Sequence, residues 1–126
     1  MNRVTEPATH WRQTLRAQLL AARKERDPTR VSALRCALSA IDNAETPDAG
    51  ELGMPMGGIV AGSVSGLAAA EVPRRVLTDA EIRALLRVEV AERLTAAAQM
   101  DTGGHEDRAA TVRAEAEVLV DLLGDV

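Results

Sequence analysis

The sequence predicts an all-α protein, a four-helix bundle built from two helical hairpins. Apolar residues recur at helical spacing in four segments, the one long break falls between the second and third of them, and the core has almost no aromatic side chains to draw on. Of 126 residues, 46% are hydrophobic but only 1% aromatic, with Trp11 alone and no Tyr or Phe. The core must come from Leu, Val, Ile, Met and Ala. Alanine and leucine are strong helix formers, whereas strands favour β-branched and aromatic residues. The length suits a single domain spanning 1–126.

The first helix is expected from about Thr9 to Arg26, with Trp11, Leu15, Leu19 and Ala22 on its apolar side and Arg12, Arg16 and Arg23 on a neighbouring face. "RDPTR" breaks it. Asp27 followed by Pro28 starts the second helix, because proline at the first helical position gives up an N–H that would lack a partner anyway. Val31, Leu34, Leu38 and Ile41 form its main stripe. Ala33, Ala37 and Ala40 form a flat second stripe that admits a close neighbour. The short joint between the two favours an antiparallel hairpin.

Residues 46–75 carry six of the nine glycines and three of the five prolines. So long a stretch without element signals is uncommon inside a domain, and it reads as a flexible insertion. The third helix opens on "LTDAEI": Thr78 and Glu81 have the spacing of a capping box, Leu77 and Ile82 that of a hydrophobic staple. Ile82, Leu85, Leu86, Val90 and Leu94 are expected to line one broad face. "DTGGHED" ends that helix. The fourth is expected from Glu106 to Leu123, with Val112, Ala116, Leu119 and Leu123 inward.

Charge is uneven along the chain. Residues 1–45 carry seven arginines and Lys24 against five acids, a net +3, while residues 76–126 carry five arginines against eleven acids, a net −6. Such asymmetry can orient a polyanion or hold the two halves together. Cys36 is the single cysteine, so no intramolecular disulfide forms. The start "MNRVTEPATHWRQ" has no apolar secretory core, and no stretch approaches the roughly 20 apolar residues of a membrane span. The expectation is a cytoplasmic protein without membrane contact.

Catalytic signals are sparse. His10 and His105 are far apart, and the consecutive His105, Glu106 and Asp107 cannot all face one ion from a helix. Glu89, Glu92, Glu115 and Glu117 lack the Glu-x-x-His pairs of a di-metal bundle and read as solvated charge. Cys36 reads as a small core residue rather than a nucleophile. The glycines of "GMPMGG" and "AGSVSG" belong to no phosphate-loop motif. No catalytic, metal or cofactor residues are assigned. The arginines of the first helix are the one feature suited to a ligand, a phosphate backbone, with Trp11 the only aromatic for base stacking; the alternative, favoured by the sequence alone, is that they are solvated or pair with the acidic second half.

Three stretches together resemble the GatB/YqeY domain family. "DPTRVSALRCALSAIDNAE" carries Asp27, Arg30, Leu34, Arg35, Asn43 and Glu45 at the family's places. "LTDAEIRALLRVEVAERLTAA" resembles its capped third helix through Leu77, Thr78, Glu81, Glu89, Val90 and Arg93. "DTGGHEDRAATVRAEAEVLVDLL" resembles its ending through Glu115, Glu117 and Leu119. The insertion ending "AAEVPRR", with arginine dominant over lysine, looks like the actinobacterial stand-alone versions. The resemblance implies an all-helical domain, found as the tail of the B subunit of glutamine-dependent aspartyl/glutamyl-tRNA amidotransferase, a carbon–nitrogen ligase, where it helps hold tRNA. It further implies non-catalytic tRNA binding or accessory work, with Arg12, Arg16, Arg23 and Arg30 as phosphate contacts. The alternative is a protein–protein interaction module. Two departures stand out: Leu122-Leu123-Gly124 replaces the family's Tyr-Leu-Pro, so its usual C-terminal subdomain is expected to be missing, and "EVAER" keeps only Arg93 of a more basic stretch.

Overall fold

The computed structural model describes residues 6–47 and 74–125. Among them it is all-helical, with four helices and no strand: α1 (Pro7–Lys24), α2 (Pro28–Glu45), α3 (Asp79–Thr102) and α4 (Glu106–Asp125). Of the expected flexible insertion, 46–75, residues 48–73 lie outside the described residues. No helix of the described residues is long and apolar enough to cross a membrane.

Local chemistry sets each helix boundary. Proline occupies the first turn of both α1 and α2, and the Asp27 carboxylate accepts the Arg30 N–H at 3.1 Å. The capping box of α3 is complete: Thr78 Oγ1 accepts the Glu81 N–H at 3.1 Å, and Glu81 Oε1 accepts the Thr78 N–H at 2.9 Å. That second bond holds the Glu81 carboxyl below its usual range. Leu77 and Ile82, the expected staple, are both buried.

The two helical hairpins close with the same turn. After α1, the Asp27 N–H reaches back to the Ala22 carbonyl at 3.0 Å; after α3, the His105 N–H reaches Met100 at 2.7 Å. This six-to-one bond needs a left-handed residue just before it. Gly104 supplies one at φ 83°, but in the first hairpin Arg26 takes φ 57°. An L side chain is disfavoured there because its Cβ crowds the following carbonyl oxygen.

α1 packs on α2, α3 packs on α4, and α2 lies more extensively on α4 than on α3. The core draws on all four helices: Trp11, Leu15 and Leu19, then Leu34 and Ile41, then Ile82 and Leu86, then Leu119 and Leu122. One inward assignment differs from expectation. Leu94 is 49% exposed, because Arg93 occupies the inward position there and reaches Glu115 on α4. Leu122 is the more deeply buried of the last two leucines, with Leu123 packed at the edge of the core.

Trp11 links the hairpins. It is fully buried, and its indole N–H donates to Asp79 Oδ1 at 2.8 Å. Asp79 Oδ2 accepts Arg83 Nε at 2.7 Å, and the Arg83 guanidinium carbon lies 5.5 Å from the indole centroid. Arg83 also donates to the Leu123 carbonyl at 2.9 Å, which brings α4 into the same network. Arg83 first, and the indole second, hold the Asp79 carboxyl below its ordinary value.

Replacing Arg26 with glycine removes the left-handed strain without disturbing a packed side chain. Arg26→Gly is expected to stabilise the chain by about 0.5–1 kcal/mol. The check is a higher urea midpoint with an unchanged slope.

Candidate functional site

α1 contains no Asp or Glu from Pro7 to Lys24, and this sets its electrostatics. Its helical period divides it into three sides. Ala8, Trp11, Leu15, Leu19 and Ala22 are buried. Gln13, Arg16, Ala17, Leu20, Arg23 and Lys24 are exposed. Arg12 sits on the border and turns towards the C-terminal end of α2.

Arg12 is held there by two acids. Its Nη2 donates to Asp42 Oδ1 at 2.6 Å and its Nε to the same oxygen at 3.1 Å. Nη1 reaches Glu45 Oε2 at 3.3 Å, and Nη2 also pairs with Glu45 Oε1. Glu45 is the one buried charged residue among those described. It takes a further bond from Arg74 Nη1 at 2.9 Å, while its backbone carbonyl accepts the Arg75 N–H at 2.9 Å. The hydrogen bond to Glu45, reinforced by Asp42, pushes the Arg12 pKa above its already high value despite the opposing effect of burial. Arg12 is thus a structural cation. Arg74 and Arg75, read from sequence as the tail of the insertion, are anchored to the end of α2.

The other three proposed phosphate contacts separate in the same way. Arg30 is half-buried and donates to Glu25 Oε1 at 2.9 Å. Arg16 and Arg23 remain exposed with no ion-pair partner among the described residues. Seven residues apart, they stand about 10 Å from one another along the helix. Lys24, exposed beside them, was not singled out in the sequence. The absence of acids from α1 is the signal that would have found it. Trp11 faces the core, so its ring is withheld from any base.

A second concavity lies between α2 and α3. A groove of about 380 Å³ is lined by Asn43, Ala44, Leu77, Glu81, Leu85 and Val88, among others. Asn43 joins it to a smaller hollow lined by Arg35, Cys36, Ser39, Ala40 and Glu89. Cys36 is half-buried there. The Glu89 carboxylate is committed to Arg93 Nη1 at 2.9 Å, and Arg93 Nε donates to Glu115 at 3.2 Å. Two of the acids expected to be solvated are thus engaged by Arg93: Glu115 ties α4 to α3, and Glu89 pairs within α3; Glu92 and Glu117 are exposed. Every buried side-chain N or O among the described residues has a hydrogen-bond partner. The groove offers amide, hydroxyl and apolar surface, with Glu81 and Arg75 at its lining.

No family model, curated protein or solved structure matches this chain.

Removing the Glu45 carboxylate leaves Arg12 with Asp42 alone and frees Arg74. Glu45→Ala is expected to destabilise the chain by about 3 kcal/mol, the lower end for a broken buried pair. Asp42→Ala, at an exposed acid, is expected to change stability by about 1 kcal/mol or less. Urea unfolding of the two variants checks the order.

Proposed function

We propose that the chain is a non-catalytic tRNA-binding or accessory domain linked to glutamine-dependent tRNA amidation, and that α1 supplies its phosphate contacts. The observation that carries this reading is the acid-free α1, whose solvent side keeps Arg16, Arg23 and Lys24 together without competing carboxylates. Arginine suits a phosphate because its planar fork makes two parallel charge-assisted hydrogen bonds. Contacts to phosphate fix position and orientation rather than sequence. With the only aromatic side chain buried, base stacking drops out and recognition falls on backbone and shape. The resemblance of α2, α3 and α4 to the GatB/YqeY domain favours tRNA over other polyanions and a cytoplasmic setting. Of the four arginines named from sequence, Arg16 and Arg23 are the contacts proposed. Arg12 and Arg30 support the fold from within ion pairs.

A protein-interaction module is the second reading, and the groove beside Leu77, Leu85 and Val88 favours it.

Fluorescence anisotropy of labelled tRNA over a salt series separates the two. Micromolar binding that weakens with salt and resists duplex DNA is expected. Arg16→Glu/Arg23→Glu should lower affinity at least about tenfold and reduce the salt slope by about 2, roughly one per lost phosphate contact. The control Arg108→Glu, a single charge reversal on an exposed face of α4, should leave both nearly unchanged. Absence of binding at low salt, or equal losses in both variants, would overturn the assignment.

A further inference from the structure

The solvent face of α3 is built differently from those of the other helices. At 3.6 residues per turn, Ile82, Leu86, Arg93 and Ala97 point inward, and Ala84, Val88, Ala91, Thr95 and Ala98 lie on the opposite side. All five are exposed, and none is charged. A surface helix normally places charge there. The outward faces of α1, α2 and α4 do so, with Arg16 and Arg23, with Arg35 and Asp42, and with Arg113, Glu117 and Asp121. α3 is accordingly only weakly amphipathic, apolar or small on both of its long faces. The outward face also carries large apolar side chains: Val88 is 55% exposed and Leu94, on its flank, 49%.

The spacing of this face alternates four, three, four and three, which is the a and d repeat of a coiled-coil seam. Arg87 and Leu94 border it on one side, Glu92 and Gln99 on the other. Arg87 and Glu92 are exposed and have no ion-pair partner among the described residues. Five positions apart, they do not face each other on one helix. They occupy the g position and the following e position, which meet across a parallel pair of helices. A hollow of about 290 Å³ bordered by Glu92, Thr95 and Gln99 continues along the flank from the groove at Leu85 and Val88, leaving room for a neighbour's side chains.

We propose that α3 pairs in parallel with α3 of a second copy of this chain, through the uncharged face centred on Ala91, with Arg87 of each copy bridging to Glu92 of the other. The small seam residues let the helix axes approach closely, and the two-fold axis makes the ion pair twice. Antiparallel pairing of the same face brings the two Glu92 carboxylates together instead, so charge selects the parallel arrangement.

Sedimentation equilibrium of the full chain, at micromolar to submillimolar concentrations, tests this. The wild type should approach twice the monomer mass, and Ala91→Glu should remain monomeric with an unchanged circular dichroism melt at low concentration. Arg87→Glu and Glu92→Arg should each weaken dimerisation roughly tenfold, and the double variant should restore it. A wild type that stays monomeric throughout would overturn the proposal, as would an Ala91→Glu protein that dimerises normally. Failure of the double variant to recover would overturn it even if Ala91→Glu does not fold.

Discussion

A single indole governs how this bundle closes. With one aromatic residue in the chain, the core must fill its space from aliphatic side chains, and Trp11 is its largest member. Burying it also buries a hydrogen-bond donor, which needs an acceptor away from water. Asp79, the first residue of α3, provides that acceptor, and the rest of the junction follows. The carboxylate draws in Arg83, Arg83 lies near the indole ring, and its Nη1 donates to the Leu123 carbonyl at the end of α4. Three helices are joined by one satisfied polar network. The capping box at Thr78 and Glu81 fixes where α3 begins, and so fixes where Asp79 stands.

The second junction is electrostatic. Glu45 is buried at the end of α2 and draws Arg12 from α1 and Arg74 from the segment leading into α3. Taking a carboxylate out of water is costly unless its oxygens are bonded, and here two guanidiniums bond them. The consequence for function is a sorting of the arginines. Those able to reach an acid on a neighbouring element become part of the fold. Arg16 and Arg23, on a helix without acids, stay available. The same sorting operates on α3, where Arg83 and Arg93 are engaged while Arg87 faces solvent.

Much of this was legible from residues alone. Proline and aspartate signals, the capping box and the four apolar periods located the helices, and the buried side of α1 was read correctly at Trp11, Leu15, Leu19 and Ala22. The misreadings have a common physical origin. Helical spacing assigns a residue to a face, but whether that face meets another helix depends on packing. Leu94 had the right spacing and the wrong neighbours. Glu89 and Glu115 looked like solvated charge because Arg93, which pairs with both, is turned inward on α3 towards α4. Arg12 looked equivalent to Arg16 and Arg23 for the same reason. Its position on α1 is similar, yet only Arg12 lies opposite the acidic end of α2. The uncharged side of α3 was visible as a run of alanines, but its exposure emerged only once the opposite side was seen to hold the core.

If the indole and its acceptor hold the hairpins together, their contributions to stability must be coupled. A double-mutant cycle with Trp11→Phe and Asp79→Ala, followed by urea unfolding, measures that coupling directly. Phenylalanine keeps an aromatic ring and loses the N–H; alanine keeps the helix and loses the acceptor. An interaction free energy of about 1 kcal/mol or more is expected for a hydrogen bond to a charged acceptor. Additive effects, agreeing within about 0.3 kcal/mol, would contradict the view that this bond organises the junction.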